Sequence, residues 1–265
     1  MQLGFIGVGG MAQAIISGLI KTDTVVASDI LVHSPHPAHY QEFAEATGIQ
    51  QADSNAAVVA ASDFVVLAVV PGAAQAVLKE IRDELNDHQK VLISIVAGLS
   101  LQAMEEVAGY DLAVLRTLPN VNVAIGAGMT AIAANNNLTG AKLADAKGLF
   151  DAIGSTSALP EADFSTFSAL AGSSPAFVDF FIDTLARAGV KHGLTKVEAT
   201  RIAAAVTEGS AKMVLASDKT PFDLIDQVSS PGGSTVAGLL AMEEAGLMTA
   251  VVKGIDVTIK RDQEA

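Results

Sequence analysis

A short apolar stretch, Leu3-Gly4-Phe5-Ile6, runs into Gly7-Val8-Gly9-Gly10-Met11-Ala12, and a helical repeat of Ile15, Ile16, Leu19 and Ile20 comes at once after it. Strand, glycine turn and helix in that order open a βαβ unit, and here they carry the G-x-G-x-x-A pattern. Gly7 permits the tight turn, Gly9 lets a pyrophosphate reach the main chain, and the small Ala12 lets the helix lie close on the strand. The chain is therefore expected to begin with a Rossmann-type dinucleotide-binding domain of α/β class.

The next segments keep that pattern. Asp63 to Val70 and Val91 to Val96 are near-continuous apolar runs, as strands buried on both faces of a parallel sheet require. A helix is expected over Ala73 to Leu85 between them. These strands end in Pro71-Gly72 and Ala97-Gly98, which should line a cofactor cleft, because ligands of open α/β sheets sit beyond the carboxyl ends of the strands. Leu112 to Thr117 reads as a further strand running into Leu118-Pro119-Asn120. Strands near Met129 to Ala133 and Ser157 to Leu159, with a helix over Leu138 to Ile153, complete the first half. Thr117, Pro119 and Asn120 either face the nicotinamide or make a simple strand-ending turn.

The strand Ile30 to Ser34 lacks the acidic residue that would bind the ribose hydroxyls of NAD, and has Ser34-Pro35-His36-Pro37 in its place. A hydroxyl, free N–H groups and a histidine suit a 2′-phosphate better, so NADP(H) is the expected cofactor, with NAD(H) the alternative. His33, His36 and His39 recur at a spacing of three. Prolines 35 and 37 break the helix that would align them, so no metal is expected.

From about Pro160 the strand-like runs stop. A helix over about Pro175 to Ala188 carries Phe177, Val178, Phe180, Phe181, Ile182 and Leu185, with Asp179, Asp183 and Arg187 four apart on one polar stripe. Such a helix must be covered on several sides. It lies either at the centre of a helical domain or between intertwined subunits. Thr195-Lys196-Val197-Glu198 has the form of a capping box, and Thr220-Pro221-Phe222-Asp223 that of a second helix start. Leu247 to Ile259 reads as the closing helix. The expected division is a dinucleotide-binding domain over 1–159 and a helical dimerisation and substrate-binding domain over 160–265.

Between the short helix that starts at Thr220 and a later one stands Ser229-Ser230-Pro231-Gly232-Gly233-Ser234-Thr235, a polar loop leading into Val236, Leu239, Leu240 and Met242. Read as a ligand site, it offers backbone N–H groups at a helix start to a small carboxylate, close approach at Gly232 and Gly233, and the hydroxyls of Ser230, Ser234 and Thr235. Read as structure alone, it is a helix start. His192 is expected at the surface, and Glu243 and Glu244 in solvent. With no triad, thiol or metal cluster evident, the reactivity is expected to come from the cofactor.

Composition narrows the partners. Against 16 basic residues stand 29 acidic ones, for a net charge of −13, and no basic patch is large enough for nucleic acid or an anionic membrane. Cysteine is absent, no basic leader precedes Leu3, and no run of about 18 apolar residues occurs, so a cytoplasmic protein is expected. At 265 residues the chain has room for two domains.

Several motifs resemble those of the pyrroline-5-carboxylate reductase family, NAD(P)H enzymes that make proline, over essentially the whole chain. Phe5 to Ala12 is similar to FIGxGNMA with Gly10 where Asn is usual, and Leu67-Ala68-Val69-Val70-Pro71 to LAVKP with Val70 for the lysine. Ser94 to Ser100 and Arg116 to Asn120 follow the family pattern, with Val121-Asn122 replacing Thr-Pro after that asparagine. Ala171 to Phe177 resembles SGSGPAY, and Ser230 to Leu239 resembles SPGGTTIAGL, the specific signature. The resemblance implies a helical C-terminal domain like that of 6-phosphogluconate dehydrogenase, which builds a dimer and sometimes larger rings. It implies that Gly7, Gly9, Gly10 and Met11 hold the pyrophosphate and that Ser34, Pro35 and His36 hold the adenosine phosphate. Asn55 would hold the ribose, and Ala68, Val69, Pro71, Ala97 and Gly98 would line the cleft. Ser230, Gly232, Gly233, Ser234 and Thr235 would then hold the substrate.

The implied reaction, the last step of proline biosynthesis, is hydride transfer to the cyclic imine of 1-pyrroline-5-carboxylate to give L-proline. Gly233 to Thr235 N–H groups are expected to hold the carboxylate, and the Thr235 hydroxyl to act as the catalytic group at the ring nitrogen. The alternatives are a related NADP-dependent reductase of another cyclic imine or of a β-hydroxyacid, which would want a lysine such as Lys191, Lys196 or Lys212, and a cofactor sensor without turnover.

Overall fold

In a computed structural model that describes residues 1–264, eight strands form one sheet: β1 Leu3–Ile6, β2 Ile30–His33, β3 Gln50–Gln51, β4 Phe64–Leu67, β5 Val91–Ser94, β6 Ala113–Pro119, β7 Gly128–Ala134 and β8 Gly154–Ala158. Their order is β3-β2-β1-β4-β5-β6-β7-β8. The first six are parallel, β7 runs antiparallel to β6, and β8 runs parallel to β7. The order of the first six strands is that of a dinucleotide-binding sheet, reversing direction of travel between β1 and β4.

Burial explains the continuous apolar runs. Every residue of β1, β4 and β5 is buried. One face packs Phe5, Val66 and Ile93 with Ile15, Ile16 and Leu19 of helix Gly10–Lys21. The other packs Val65 and Leu92 with Val58, Leu78 and Met104 from the helices Asn55–Ala61, Pro71–Glu80 and Leu101–Ala108. Each fully buried aliphatic side chain contributes about 1.5–3 kcal/mol, so the centre of the sheet is the rigid base for whatever its edge carries.

Some boundaries differ from the sequence reading. The expected helix over Ala73 to Leu85 begins earlier, at Pro71, and breaks at Ile81, giving Pro71–Glu80 and Arg82–Leu85. Proline at the first helical position has no N–H to leave unpaired, which favours the earlier start. β5 stops at Ser94 because its hydroxyl accepts from Val96 N, turning the chain out of the sheet.

The chain divides into two compact units, Met1–Gly172 and Ser173–Glu264. Glu161 to Gly172, which the loss of strand-like runs assigns to the second half, packs with the first: Phe164, Phe167 and Ala171 cluster with Ala131 of β7. Arg116 of β6 ion-pairs with Glu161 and lies 4.4 Å above the Phe164 ring. The unit ends within a π-helical stretch, Ser168–Ser173, whose last residue belongs to the second unit.

The second unit is helical throughout: Ser174–Lys191, Lys196–Ala216, Pro221–Gln227, Ser234–Glu244 and Leu247–Gln263. Asp183 joins the first two helices, bonding Lys196 and, at 2.6 Å, Arg187, and these cations hold its carboxyl below the usual range. At Thr220 the capping box is complete, with Thr220 N donating to Asp223 at 2.9 Å. At Thr195 only half of the expected box forms. Thr195 Oγ1 accepts from Glu198 N, but the Glu198 carboxylate turns to Arg201. A charged guanidinium outcompetes a neutral N–H for that carboxylate. Among the described residues no single helix is long and apolar enough to cross a membrane.

The helical unit has almost no core of its own. Among its described residues the buried hydrophobic ones are three alanines, Ala186, Ala199 and Ala203, while Phe177, Val178, Phe180 and Phe181 all lie exposed, Phe180 at 75%. Of the two positions the sequence allows for that helix, burial at the centre of its own domain is not the one adopted.

Candidate functional site

The C-terminal ends of β1, β2, β4 and β5 are in register, Ile6 beside both His33 and Leu67, and Leu67 beside Ser94. The segments that leave these ends therefore share one edge of the sheet. They are Gly7 to Met11, Ser34 to His36, Ala68 to Pro71, and Ala97 with Gly98, which together hold all but one of the residues expected at the cofactor.

Gly7 is the tightest point. Its φ is +95°, its N–H donates to His33 O at 2.8 Å, and a Cβ there would lie 2.4 Å from Ala68 O. Only glycine lets β1 turn that close to the exit of β4. Gly9 and Gly10 are the opposite case, with nothing beyond their own local backbone within 4 Å of the place a Cβ would take. Gly9 caps helix Gly10–Lys21 without a side chain, so the first-turn N–H groups have no side-chain acceptor from the cap. An exposed cradle of unpaired N–H groups at a helix start, at the point where strand order reverses, fits a dinucleotide pyrophosphate.

Asn55, the remaining predicted residue, is brought to this edge by a chain of hydrogen bonds that the sequence reading missed. Its Oδ1 meets His33 Nδ1 at 2.7 Å, and its Nδ2 donates to Glu80 at 3.1 and 3.2 Å. No spacing rule links residues 33, 55 and 80; helix Asn55–Ala61, packed against β2, brings Asn55 between His33 and the end of helix Pro71–Glu80. His33 is thus engaged with Asn55, while the His36 and His39 rings stand 5.4 Å apart.

Asn120 resolves as a structural turn. Its Nδ2 donates to Ala171 O at 2.9 Å and its Oδ1 accepts from Met129 N at 3.1 Å. Both ends of the amide are used inside the unit, and Thr117 likewise donates to Ser94 O. Asn120→Ala should destabilise the protein by about 1–3 kcal/mol, the cost of leaving buried groups unpaired, read as a lower urea midpoint with unchanged slope.

In the helical unit, Ser230-Pro231-Gly232-Gly233 forms a turn closed by Gly233 N donating to Ser230 O at 2.9 Å, with Gly232 at φ +69°. Proline followed by a glycine of positive φ is the type II pattern. A Cβ at Gly233 would lie 2.5 Å from Ser230 Oγ. Helix Ser234–Glu244 then starts on Gly233 with no side-chain cap. The N–H groups of Ser234, Thr235 and Val236 lack intrahelical partners, whereas that of Gly233, expected at a carboxylate, is committed to the turn. Ser230, Gly232, Ser234 and Thr235 are exposed. Ser229 Oγ in the same loop is buried with no hydrogen-bond partner.

Lys196 and Lys212 are paired with Asp183 and Glu208, which leaves neither free as a general acid for hydroxyacid chemistry. His192 is exposed just beyond helix Ser174–Lys191, and Glu243 and Glu244 are exposed too.

The chain matches a family model for pyrroline-5-carboxylate reductase dimerisation over residues 161–265 and one for coenzyme F420-dependent NADP oxidoreductases over residues 2–98. It is 35% identical to a pyrroline-5-carboxylate reductase of a Synechocystis species, covering all of this chain and 98% of that one. The 1-pyrroline-5-carboxylate reductase of Streptococcus pyogenes superposes with a TM-score of 0.87 at 37% identity, covering 100% and 99% of the two chains. The pyrroline carboxylate reductase of Plasmodium falciparum, solved with NADP bound, gives 0.88 at 28% identity, covering 100% and 97%.

Proposed function

Because this chain belongs to the pyrroline-5-carboxylate reductase family, we propose that it reduces 1-pyrroline-5-carboxylate to L-proline, using NADP(H) with NAD(H) as the alternative donor. The observation that carries the reading is the turn at Ser230 to Gly233 leading into an uncapped helix start, which offers N–H donors and hydroxyls together.

Bound NADPH supplies the hydride. The residues that would hold it are Gly7, Gly9, Gly10 and Met11 at the pyrophosphate, Ser34, Pro35 and His36 at the adenosine phosphate, and Asn55 at the ribose. Ala68, Val69, Pro71, Ala97 and Gly98 line the same edge. In the helical unit, Ser234, Thr235 and Val236 N–H groups bind the substrate carboxylate, Gly232 and Gly233 let it come close, and Ser230 orients it. The Thr235 hydroxyl bonds the ring nitrogen and is the catalytic group. A protonated imine accepts hydride without a strong general acid, so positioning is the main effect.

The domains proposed from sequence, 1–159 for the cofactor and 160–265 for substrate and dimerisation, differ from the compact units by the segment 160–172. The protein is proposed to be a cytoplasmic homodimer whose C-terminal helices intertwine, since that would cover the exposed phenylalanines.

The test is NADPH oxidation with pyrroline-5-carboxylate, repeated with a six-membered imine carboxylate. Turnover of the five-membered ring supports the reading; turnover of the six-membered ring alone replaces it with the related imine reductase. Thr235→Ala should lower kcat/KM about tenfold or more, roughly 1.4 kcal/mol of transition-state stabilisation, and Thr235→Ser should restore most of it. An unchanged alanine variant removes the hydroxyl from the mechanism.

A further inference from the structure

His33 ends β2 at the position where dinucleotide-binding sheets meet the adenosine ribose. Its partners determine its tautomer. The Glu80 carboxylate can only accept, so the Asn55 amide must turn its Nδ2 to Glu80 and its Oδ1 to His33. That oxygen can only accept as well. His33 Nδ1 therefore carries a hydrogen whatever the charge on the ring, which leaves Nε2 as the nitrogen open to a ligand.

The arrangement is held firmly. Asn55 is buried at the first turn of helix Asn55–Ala61, which Ser54 Oγ caps by accepting from Ala57 N at 3.1 Å. Glu80 is the last residue of helix Pro71–Glu80, the end at which a helix dipole disfavours a carboxylate. Its place there is accounted for by the Asn55 amide. Among the described residues no second partner bonds the His33 ring, which is half-buried. β1 and β3 flank β2 with no ionisable side chain, and helix Asn55–Ala61 has none. The remaining charged or titratable groups nearby are Glu80 acting through Asn55, with Lys79 beside it, Asp53 ahead of that helix, and His36 and His39 in the turn after β2.

We infer that His33, oriented by Asn55 and Glu80, selects between the phosphorylated and unphosphorylated cofactors: as imidazolium it donates from Nε2 to a 2′-phosphate, and as neutral imidazole it accepts from a 2′-hydroxyl. The inference rests on the cofactor reading above and makes His33 a specificity residue, distinct from the groups that touch the reacting atoms. Low pH favours NADP(H) and rising pH erodes that preference. The second ionisation of the phosphate itself, near pH 6, adds negative charge as pH rises and so acts in the opposite direction.

The test measures Kd for NADP+ and NAD+ by direct titration at a series of pH values from about pH 6 to pH 8.5. The preference for NADP+ should fall about tenfold over that span, the difference between a charge-assisted and a neutral hydrogen bond. In His33→Gln that fall should be absent, leaving only the opposite trend of the phosphate's own ionisation. Nitrogen-15 spectra of the unliganded protein should show neutral His33 with its hydrogen on Nδ1, and Glu80→Gln should admit the other tautomer. A neutral ring protonated on Nε2, or a fall in NADP+ preference with rising pH that survives in His33→Gln, overturns the inference. Failure of both nucleotides to bind at any pH would overturn the cofactor reading with it, whereas tight binding of both with no divergence overturns this inference alone.

Discussion

Gly7→Ala should weaken NADP(H) binding about a hundredfold or more, roughly 2.7 kcal/mol, and lower the melting temperature of the unliganded protein as well. The added Cβ would stand 2.4 Å from Ala68 O and 2.7 Å from Ala68 C, backbone atoms at the exit of β4, at a φ of +95° that alanine rarely adopts. Relief requires the ends of β1 and β4 to part, which moves both the glycine turn and the Ala68 to Pro71 segment proposed to line the site. At a chain of this length each kcal/mol lost shifts Tm by roughly 2–4 °C. Gly9→Ala makes the contrast. Beyond its chain neighbours nothing lies within 4 Å of its Cβ position, so stability should be unchanged while the methyl group enters the space proposed for the pyrophosphate. The two variants measured side by side, by thermal melting without nucleotide and by nucleotide titration, separate a strained turn from an obstructed site. If Gly9→Ala binds NADP(H) as tightly as the wild type, the cradle has been misassigned.

Phe180→Asp should leave the protein monomeric at micromolar concentration and markedly less stable. Phe180 is 75% exposed on a helix whose neighbours Phe177, Val178 and Phe181 are also uncovered, while the unit that carries them buries little more than alanine. A buried phenylalanine is worth about 1.5–3 kcal/mol, and in a two-fold dimer each substitution counts twice. Replacing it with a carboxylate adds the several kcal/mol needed to desolvate an unpaired charge. Analytical ultracentrifugation should show the monomer, and Phe180→Leu should remain dimeric. Val206→Asp, on helix Lys196–Ala216, extends the test to a second uncovered position, 57% exposed. A Phe180→Asp protein that sediments as the wild type would mean that something other than a second copy covers this face.

Local features were the legible ones. The turn at Gly7, the cap at Thr220, the loop from Ser230 to Thr235 and the buried runs of β4 and β5 each depend on residues within a few positions of one another, and their types alone select the backbone. The glycine pattern and the Ser230 to Leu239 signature carried the family for the same reason, since both encode a backbone shape together with the chemistry it presents.

Tertiary structure decided what depends on distant partners. Glu198 could have closed its capping box, but Arg201 took its carboxylate. Asn120 could have faced a ligand, but Ala171, 51 residues away, took its amide. His33 looked at most like a stray metal ligand until Asn55 and Glu80 came beside it, 22 and 47 positions further along the chain. The antiparallel insertion of β7, the packing of Glu161 to Gly172 on the sheet and the bare phenylalanines of the helical unit belong to the same class. Side-chain periodicity states which face of an element is apolar. Which surface covers that face, and which donor reaches which acceptor, is settled only when all the elements compete for the same space.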